Sequence, residues 1–529
     1  MKLSRFPVVQ PWRRALRGSA AAALLLHFVA AEPASAQEDR GIHVAPPNAA
    51  ASPTLAPGHW AVEAAARAEA LSLVGAYLPA QRAVPRSVVG DALREAALRA
   101  PSEAPHLAGL VEGWLRRFRE EFAETRDASG DPPSRRPVLL GSLAGAGLRG
   151  HAGVITPGAG IFEGRTDPLP LPDQGEGYVQ AHLAASPVSW LTASIGADLG
   201  TNGTEIPHWE IVARLGRAAL SAGDQPVGYG YGRGGGIVLS GVSLPTVQLQ
   251  TAEPFHAPGW LELLGSVSLH TFLTRISDPR HPSNPWFWGM RGSIQPHPRF
   301  TASVNRAAFF GGKDTDVPFT PRNLAGVFIG VLNGDFENQL VSADFRYRVP
   351  TERVLPLTLY LEWGAEDAAG GWWDVPGIVA GAFVPALPGV PALAAGVEHA
   401  SFATFCCGNP PWYFHAGFPG GWVANDTPLG HPLGGEGSET MLYLSGTAAD
   451  ARLRTDARAF RRTRSDAGYH TPQRAGNLFV PQRAGTSWGA ELRGALRLFT
   501  RSDVHAGYFI DSGAGWMEQR FSVGTAVFF

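Results

Sequence analysis

The sequence has few of the features that mark several common classes of protein. Its only lysines are Lys2 and Lys313, and 44 Lys+Arg residues almost balance 46 Asp+Glu residues, which gives a net charge of −2. A nucleic-acid-binding surface needs a basic excess, so nucleic acid is not expected as a partner. Apart from one stretch near the N-terminus, no apolar run approaches the roughly 20 residues that a transmembrane helix needs.

Cysteine is also scarce. The two cysteines, Cys406 and Cys407, are adjacent, and neighbours in sequence rarely reach the geometry of a disulfide bond. No histidine or carboxylate spacing around them indicates a metal site. We expect two free thiols in a loop, with a strained vicinal disulfide as the alternative, and neither a metal nor a cofactor.

Residues 1–36 have the features of a signal peptide. A basic start precedes an apolar stretch from Ala20 to Ala31, and Ala34-Ser35-Ala36 fits the small-x-small cleavage pattern. The apolar stretch is too short to cross a bilayer. We expect export by the general secretory route, with twin-arginine export through Arg13-Arg14 as the alternative, and a flexible linker over 37–55.

Between 56 and 126 the apolar residues recur with the period of a helix. The clearest stripe runs from Leu107 to Phe122, and helices are also predicted over Trp60–Val74 and Ser87–Ala100. We expect a small three-helix bundle that packs against or plugs the periplasmic end of a barrel. A separate ligand-binding domain is the alternative, although a segment of about 70 residues buries little core on its own.

From 137 to 529 the period changes to two. Odd positions are apolar from Leu191 to Leu199, with polar or small residues between them. This alternation is typical of strands that face lipid on one side and a polar lumen on the other. Very short polar segments alternate with long Gly/Pro-rich stretches, such as 156–176 and 364–395. The pattern predicts an all-β transmembrane barrel of roughly 16 to 20 antiparallel strands.

The sequence ends in an amphipathic strand. Phe521, Val523, Val527 and Phe529 share its apolar face. A final strand that ends in Phe resembles the recognition signal of the barrel-assembly machinery. We therefore expect that machinery and outer-membrane lipid as partners, and we expect the protein to be a monomer in the outer membrane.

A set of short motifs is spread along the predicted barrel. They are Gly228-Tyr229-Gly230, Gly236–Gly241, Trp288-Gly289-Met290-Arg291, Asp344–Arg348, Leu361–Asp367 and Gly430–Gly434. Each motif is short, but their order and spacing resemble the Wzi family of capsule-assembly outer-membrane proteins.

The resemblance implies a barrel of about 18 strands with a small helical bundle on the periplasmic side. It also implies a protein that binds and anchors capsular or other surface polysaccharide during capsule assembly, without enzymatic activity. A porin-like channel for sugars or small solutes is the alternative. An outer-membrane enzyme is a third hypothesis, although no recognisable hydrolase motif surrounds any serine.

Charged residues on the predicted strands are the first candidates for a functional site. They could steer a sugar acid or form a lumen-filling ion-pair network. We favour the network, because charges that face lipid cost about 2–4 kcal/mol at mid-membrane. These residues are Arg291, Arg306, Asp344, Arg346, Glu362, Glu366 and Asp367.

Aromatic residues in long loops are the second candidates, since aromatic rings stack on sugars. The alternative is an interfacial aromatic girdle or packing within the loops. These polysaccharide-binding candidates are Trp372, Trp373, Trp412, Tyr413 and Trp422.

The glycine cluster from Gly232 to Gly236 resembles a phosphate-binding loop but lacks the Lys-Ser/Thr ending and the helix that follows such a loop. We expect these glycines to relieve crowding instead.

Overall fold

The computed structural model describes residues 51–122 except 56 and 79–82, 138–153, 176–200, 203–366 except 316, 330–335 and 353, 376–402, 412–447 except 416, 425 and 426, 451–464, 485–499, and 502–528. Outside these residues lie the predicted signal peptide, most of the predicted linker, Asp367, Trp372, Trp373, Cys406, Cys407 and Phe529. Across the described ranges, no helix is both long and apolar enough to cross a membrane.

Eighteen long antiparallel strands within the described residues form one closed barrel, together with a two-residue strand, Phe255–His256, that pairs with the strand Ser266–Arg275. Each strand pairs with its neighbours in chain order, and the last strand pairs with the first. This confirms the predicted all-β barrel. The strands β1 to β18 are, in order, Val138–Gly153, Glu176–Val188, Leu191–Gly200, Gly203–Leu215, Ala218–Gly228, Ser240–Thr251, Ser266–Arg275, Trp286–His297, Phe300–Phe310, Glu337–Val349, Leu357–Glu366, Gly377–Val384, Leu393–Phe402, Gly437–Thr447, Leu453–Arg464, Gly485–Phe499, Ser502–Gly513 and Trp516–Phe528.

The connections between strands distinguish two ends of the barrel. At the short-turn end, tight turns such as 189–190 and 298–299 join the strands. At the long-loop end lie longer connections such as 229–239 and 311–336. The prediction of one long connection over 364–395 is wrong, because β12 lies within this range and pairs with both neighbouring strands.

Side chains alternate between the lumen and the outer wall along each strand. On β10, Ser342 and Asp344 are buried inside, whereas Phe345 and Tyr347 are exposed outside. Leu442 of β14 is also exposed on the outside. An outer wall of apolar residues suits contact with lipid.

Four aromatic rings in the lumen lie over glycines on the neighbouring strand. The pairs are Phe272 over Gly289, Tyr360 over Gly381, Tyr443 over Gly396, and Phe460 over Gly489. A Cβ atom on any of these glycines would lie within 2.3 Å of the ring above it. Each pair therefore needs glycine, and the ring covers the backbone that the glycine leaves bare.

In the described part of the chain, three α-helices precede the barrel: α1 (Trp60–Ala70), α2 (Arg86–Glu103) and α3 (Ala108–Glu121). Their apolar stripes meet in one core, where Trp114 and Phe118 are fully buried. A fourth helix, α4 (Pro321–Ile329), lies in the 311–336 connection.

The helices pack against the short-turn end of the barrel. Arg67 of α1 donates hydrogen bonds to the carbonyl oxygens of Pro385 (3.0 Å) and Pro391 (3.2 Å), in the connection between β12 and β13. The Trp114 indole donates to the Thr447 hydroxyl at 3.3 Å. Arg117 of α3 forms a buried ion pair with Asp503 of β17.

Glu121 completes this buried charge cluster. Its carboxylate lies 3.6 Å from the Arg117 guanidinium and 3.3 Å from the His59 ring. Burial alone would raise the pKa of Glu121, but the His59 hydrogen bond and the charges of His59 and Arg117 outweigh burial and lower that pKa to about 2. Glu121 therefore stays ionised, and its charge depends on its cationic partners.

We expect Arg117→Met to loosen α3 from the barrel rim. The substitution removes one guanidinium from Asp503, which keeps those of Arg454 and Arg497, each at 3.0 Å. The cost should therefore lie below the about 3–5 kcal/mol of a buried charge that loses its only partner. Hydrogen exchange in α3 should accelerate while the strands keep their protection. Arg116→Met, at an exposed position of the same helix, is the control. Identical exchange in the two variants would contradict the role of the pair.

Candidate functional site: a filled lumen

The connection between β5 and β6 folds into the barrel instead of away from it. We call residues 229–239 the lumen plug. Tyr229, Ile237 and Leu239 are fully buried. Arg233 forms an ion pair with Glu63 of α1, at the opposite end of the barrel. The plug thus links the long-loop end to the helices.

Glycines allow the plug to fold this tightly. Gly230 has a φ of +104°, which side chains rarely adopt. A Cβ atom on Gly236 would lie 1.8 Å from the carbonyl oxygen of Tyr229. The glycines of the cluster relieve crowding, as the sequence predicts.

Carboxylates on the barrel wall accept the backbone N–H groups of the plug. Glu398 of β13 accepts hydrogen bonds from the N–H of Arg233 (2.6 Å) and of Gly234 (2.8 Å). It also accepts one from the Tyr360 hydroxyl at 2.7 Å. Glu362 of β11 accepts the N–H of Ile237 at 3.1 Å. The segment that resembles a phosphate loop thus donates its N–H groups to the protein's own carboxyl groups.

A network of ion pairs surrounds the plug. Arg291 and Asp344 make a two-point contact, with nitrogen–oxygen distances of 2.6 and 3.0 Å. Arg346 pairs with Glu69 of α1 at 2.6 Å. The ring of Tyr231 lies 5.5 Å from the Arg291 guanidinium and 5.0 Å from that of Arg346. The structure thus brings three of the predicted lumen charges together, in contact with the plug and with α1.

Arg306 lies on the other side of the wall. It shares a face of β9 with Val304, which is 54% exposed, whereas Asn305 faces the lumen. The Arg306 guanidinium donates to Gln339 (2.8 Å) and to the carbonyl oxygen of Phe328 (3.3 Å). The prediction of a lumen position is wrong for Arg306, because the alternation of β9 turns its even positions outward.

The loop aromatics Trp412, Tyr413 and Trp422 are inside the barrel. Each is at most 1% exposed. The Trp422 indole donates to the carbonyl oxygen of Val238 at 2.8 Å, and the Tyr413 hydroxyl donates to that of Ile237 at 2.7 Å. These three rings pack on the plug, so they offer no face to a sugar outside the barrel. Their burial agrees with the alternative prediction, in which these rings pack within the protein.

Glu366, another of the predicted lumen charges, accepts a hydrogen bond from the N–H of Phe414 at 3.2 Å. Sequence reasoning missed Glu398, Tyr231 and Glu69. For Glu398 the sequence offered one weak signal, a carboxylate at an inward-facing position of a strand. No pattern in the sequence pairs Glu69 of α1 with β10.

Taken together, these contacts fix the plug by hydrogen bonds to wall carboxylates, by ion pairs and by packed rings. Such a filled and charged interior is a rigid support.

Comparison with known proteins places the chain among similar barrels. The family model described as "Capsule assembly protein Wzi" matches residues 211–514. A solved Escherichia coli structure, described as Wzi, an outer membrane protein involved in group 1 capsule assembly and a carbohydrate-binding β-barrel, is similar with a TM-score of 0.69 and 15% identity. The match covers 90% of this chain and 100% of that one.

Two Pseudomonas aeruginosa structures are less similar. OpdQ matches with a TM-score of 0.43 and 10% identity, over 74% of this chain and 98% of that one. OpdL matches with a TM-score of 0.42 and 13% identity, over 74% of this chain and 99% of that one. No curated protein matches the sequence.

We expect Glu398→Ala to loosen the plug. The buried N–H of Gly234, the partly buried N–H of Arg233 and the Tyr360 hydroxyl would lose their acceptor. Each loss at a buried position costs about 1–3 kcal/mol. Single-channel conductance in planar bilayers should rise above that of the parent protein. His399→Ala is the matched control, because His399 is the next residue and lies on the outer wall. Equal conductance of the parent and both variants would show that Glu398 does not hold the plug.

Proposed function

The chain belongs to the family of the capsule assembly protein Wzi, and on that premise we propose that it is an outer-membrane protein that binds surface polysaccharide and retains it during capsule assembly, without catalysis. The proposal rests on the match of the family model, which covers more than half of the chain. The fold shared with Escherichia coli Wzi, which is described as a carbohydrate-binding outer-membrane barrel, supports it.

The exterior of the barrel suits insertion as a single copy. The ring closes through pairing of β18 with β1, so no second copy is needed to cover a strand edge. Phe521 and Val523 of β18 are exposed on the outer wall. These features support lipid and the barrel-assembly machinery as partners, and a monomer as the functional state.

We assign polysaccharide binding to the connections at the long-loop end. The filled lumen leaves little room for a polymer, and the helices occupy the other end. Of the aromatic candidates, Trp372 and Trp373 remain the ones to test, since Trp412, Tyr413 and Trp422 are buried. Rings stack on sugars without needing charge complementarity, which suits a polymer with many equivalent units.

We also propose that the helices lie in the periplasm. Both the helices and the C-terminal end of β18 are at the short-turn end, and barrels of this class place their short turns in the periplasm. A single cysteine at exposed Glu112 of α3, in a chain with Cys406 and Cys407 replaced by serine, should resist an impermeant thiol reagent in intact cells. It should react after the outer membrane is permeabilised. Efficient labelling of intact cells would reverse this topology.

The anchoring role predicts where the polymer goes when the protein is changed. A deletion strain should release most of its surface polysaccharide into the medium. Trp372→Ala with Trp373→Ala should also release polymer, because stacking contacts are lost while the barrel still assembles. The measurement is cell-bound against free polysaccharide at equal amounts of membrane-inserted protein.

Trp260→Ala is the matched control, since Trp260 is an exposed tryptophan at the short-turn end. It should retain polymer normally. Normal retention in the double variant would exclude Trp372 and Trp373 as the contact. Normal retention in the deletion strain would remove the anchoring role.

A solute channel is the second candidate, and one observation favours it. Arg493 faces the lumen from β16, and its side chain is 34% exposed, so water reaches part of the interior. A large and steady conductance of the parent protein, together with normal polymer retention in the deletion strain, would favour the channel.

A further inference from the structure

The outer wall from β7 to β17 carries few charges. Among the described residues of these strands, the outward-facing Asp, Glu, Lys and Arg side chains are Arg275, Arg306, Arg461 and Glu337. All four lie toward the long-loop end of their strands. Glu337 is 1% exposed. The charge that this wall presents to its surroundings is therefore positive and confined to one end.

Each outward arginine lies over a tryptophan ring. The guanidinium carbon is 5.6 Å from the ring centre in the pairs Arg275–Trp286, Arg306–Trp288 and Arg461–Trp488. Tryptophan concentrates where hydrocarbon meets the polar headgroups of a membrane. Arginine on the lipid side is costly at mid-membrane but costs about 0–1 kcal/mol near the interface. The three pairs therefore mark the headgroup level at the long-loop end.

Two of these pairs are neighbours. Trp286 and Trp288 lie two positions apart on the outward face of β8, with Arg275 on β7 and Arg306 on β9 beside them. This set, together with α4, is called the Arg–Trp patch.

Helix α4 gives the Arg–Trp patch an apolar border. Val327 of α4 packs with Trp288 and Phe310 on the outside of the barrel. Phe319, next to the helix, is 56% exposed, and Phe328 is 40% exposed. Exposed apolar rings beside arginines fit a ligand that has both an apolar body and anionic groups.

We propose that the Arg–Trp patch binds a phosphorylated glycolipid of the outer leaflet. Its phosphates would be held by Arg275 and Arg306, and its acyl chains would lie along Leu273 and Val304 lower on the same wall. Guanidinium groups bind phosphate at two points. Glu337, the outward-facing carboxylate at this level among the described residues of these strands, is only 1% exposed. The proposal rests on the proposed outer-membrane location but not on polysaccharide binding.

The test uses the purified full-length protein in detergent and three lipids. These are bisphosphorylated lipid A, the same lipid A after enzymatic removal of its phosphates, and phosphatidylglycerol. Binding is measured by native mass spectrometry as a function of lipid concentration. The parent protein should bind phosphorylated lipid A most tightly, and dephosphorylated lipid A should bind the parent no better than it binds the arginine variants.

Arg275→Gln combined with Arg306→Gln should weaken binding of phosphorylated lipid A by about tenfold or more, because hydrogen bonds to charged groups are lost. Arg275→Gln alone keeps the proposal testable if the double variant assembles poorly, since Arg275 is exposed. Arg217→Gln, at an exposed position of a turn at the opposite end, is the matched control and should bind like the parent.

Equal affinity of the parent and the Arg275→Gln variant would overturn the proposal. Equal binding of phosphatidylglycerol and phosphorylated lipid A by the parent would overturn the choice of a glycolipid. Because binding is measured without any polysaccharide, its failure is distinct from failure of the anchoring role, which the deletion strain tests.

Discussion

The hydrogen bonds from the lumen plug to wall carboxylates are the interaction on which the interior depends. An 18-stranded barrel encloses more space than its own side chains fill. Here a glycine-rich segment enters that space, and its N–H groups need acceptors. Glu398 and Glu362 supply them. The wall must then carry charge, and Arg291 and Arg346 balance further carboxylates around the same segment.

Most of the fold could be predicted from the sequence, because strand alternation and helical periodicity are local signals. Alternation predicted that Asp344, Arg346 and Glu362 point inward. The inference from charge fails for Arg306, because the alternation of β9 turns this arginine outward. The paths of loops leave no period in the sequence. For this reason Trp412 and Trp422 looked like external sugar contacts, although they pack inside the barrel.

The two surfaces of one wall meet different physical demands. Inside, large rings lie over glycines on neighbouring strands, which lets wide side chains pack beside the plug without pushing the strands apart. Outside, apolar residues dominate, and the arginines gather at one level over tryptophan rings. Outward apolar residues and inward polar residues alternate along the strands, so the mean hydropathy of the sequence stays close to zero, at −0.05.

The docking of the helices on the short-turn end of the barrel also bears on the order of assembly. Arg117 and Asp503 are 386 residues apart in the chain, and Trp114 and Thr447 are 333 apart. The helices are synthesised before the barrel, yet these two contacts are with strands β14 and β17, which lie late in the chain. Contacts across such separations form late, because the intervening chain must first be ordered. The contacts of Trp114 and Arg117 with the rim therefore require that β14 and β17 have already joined the wall.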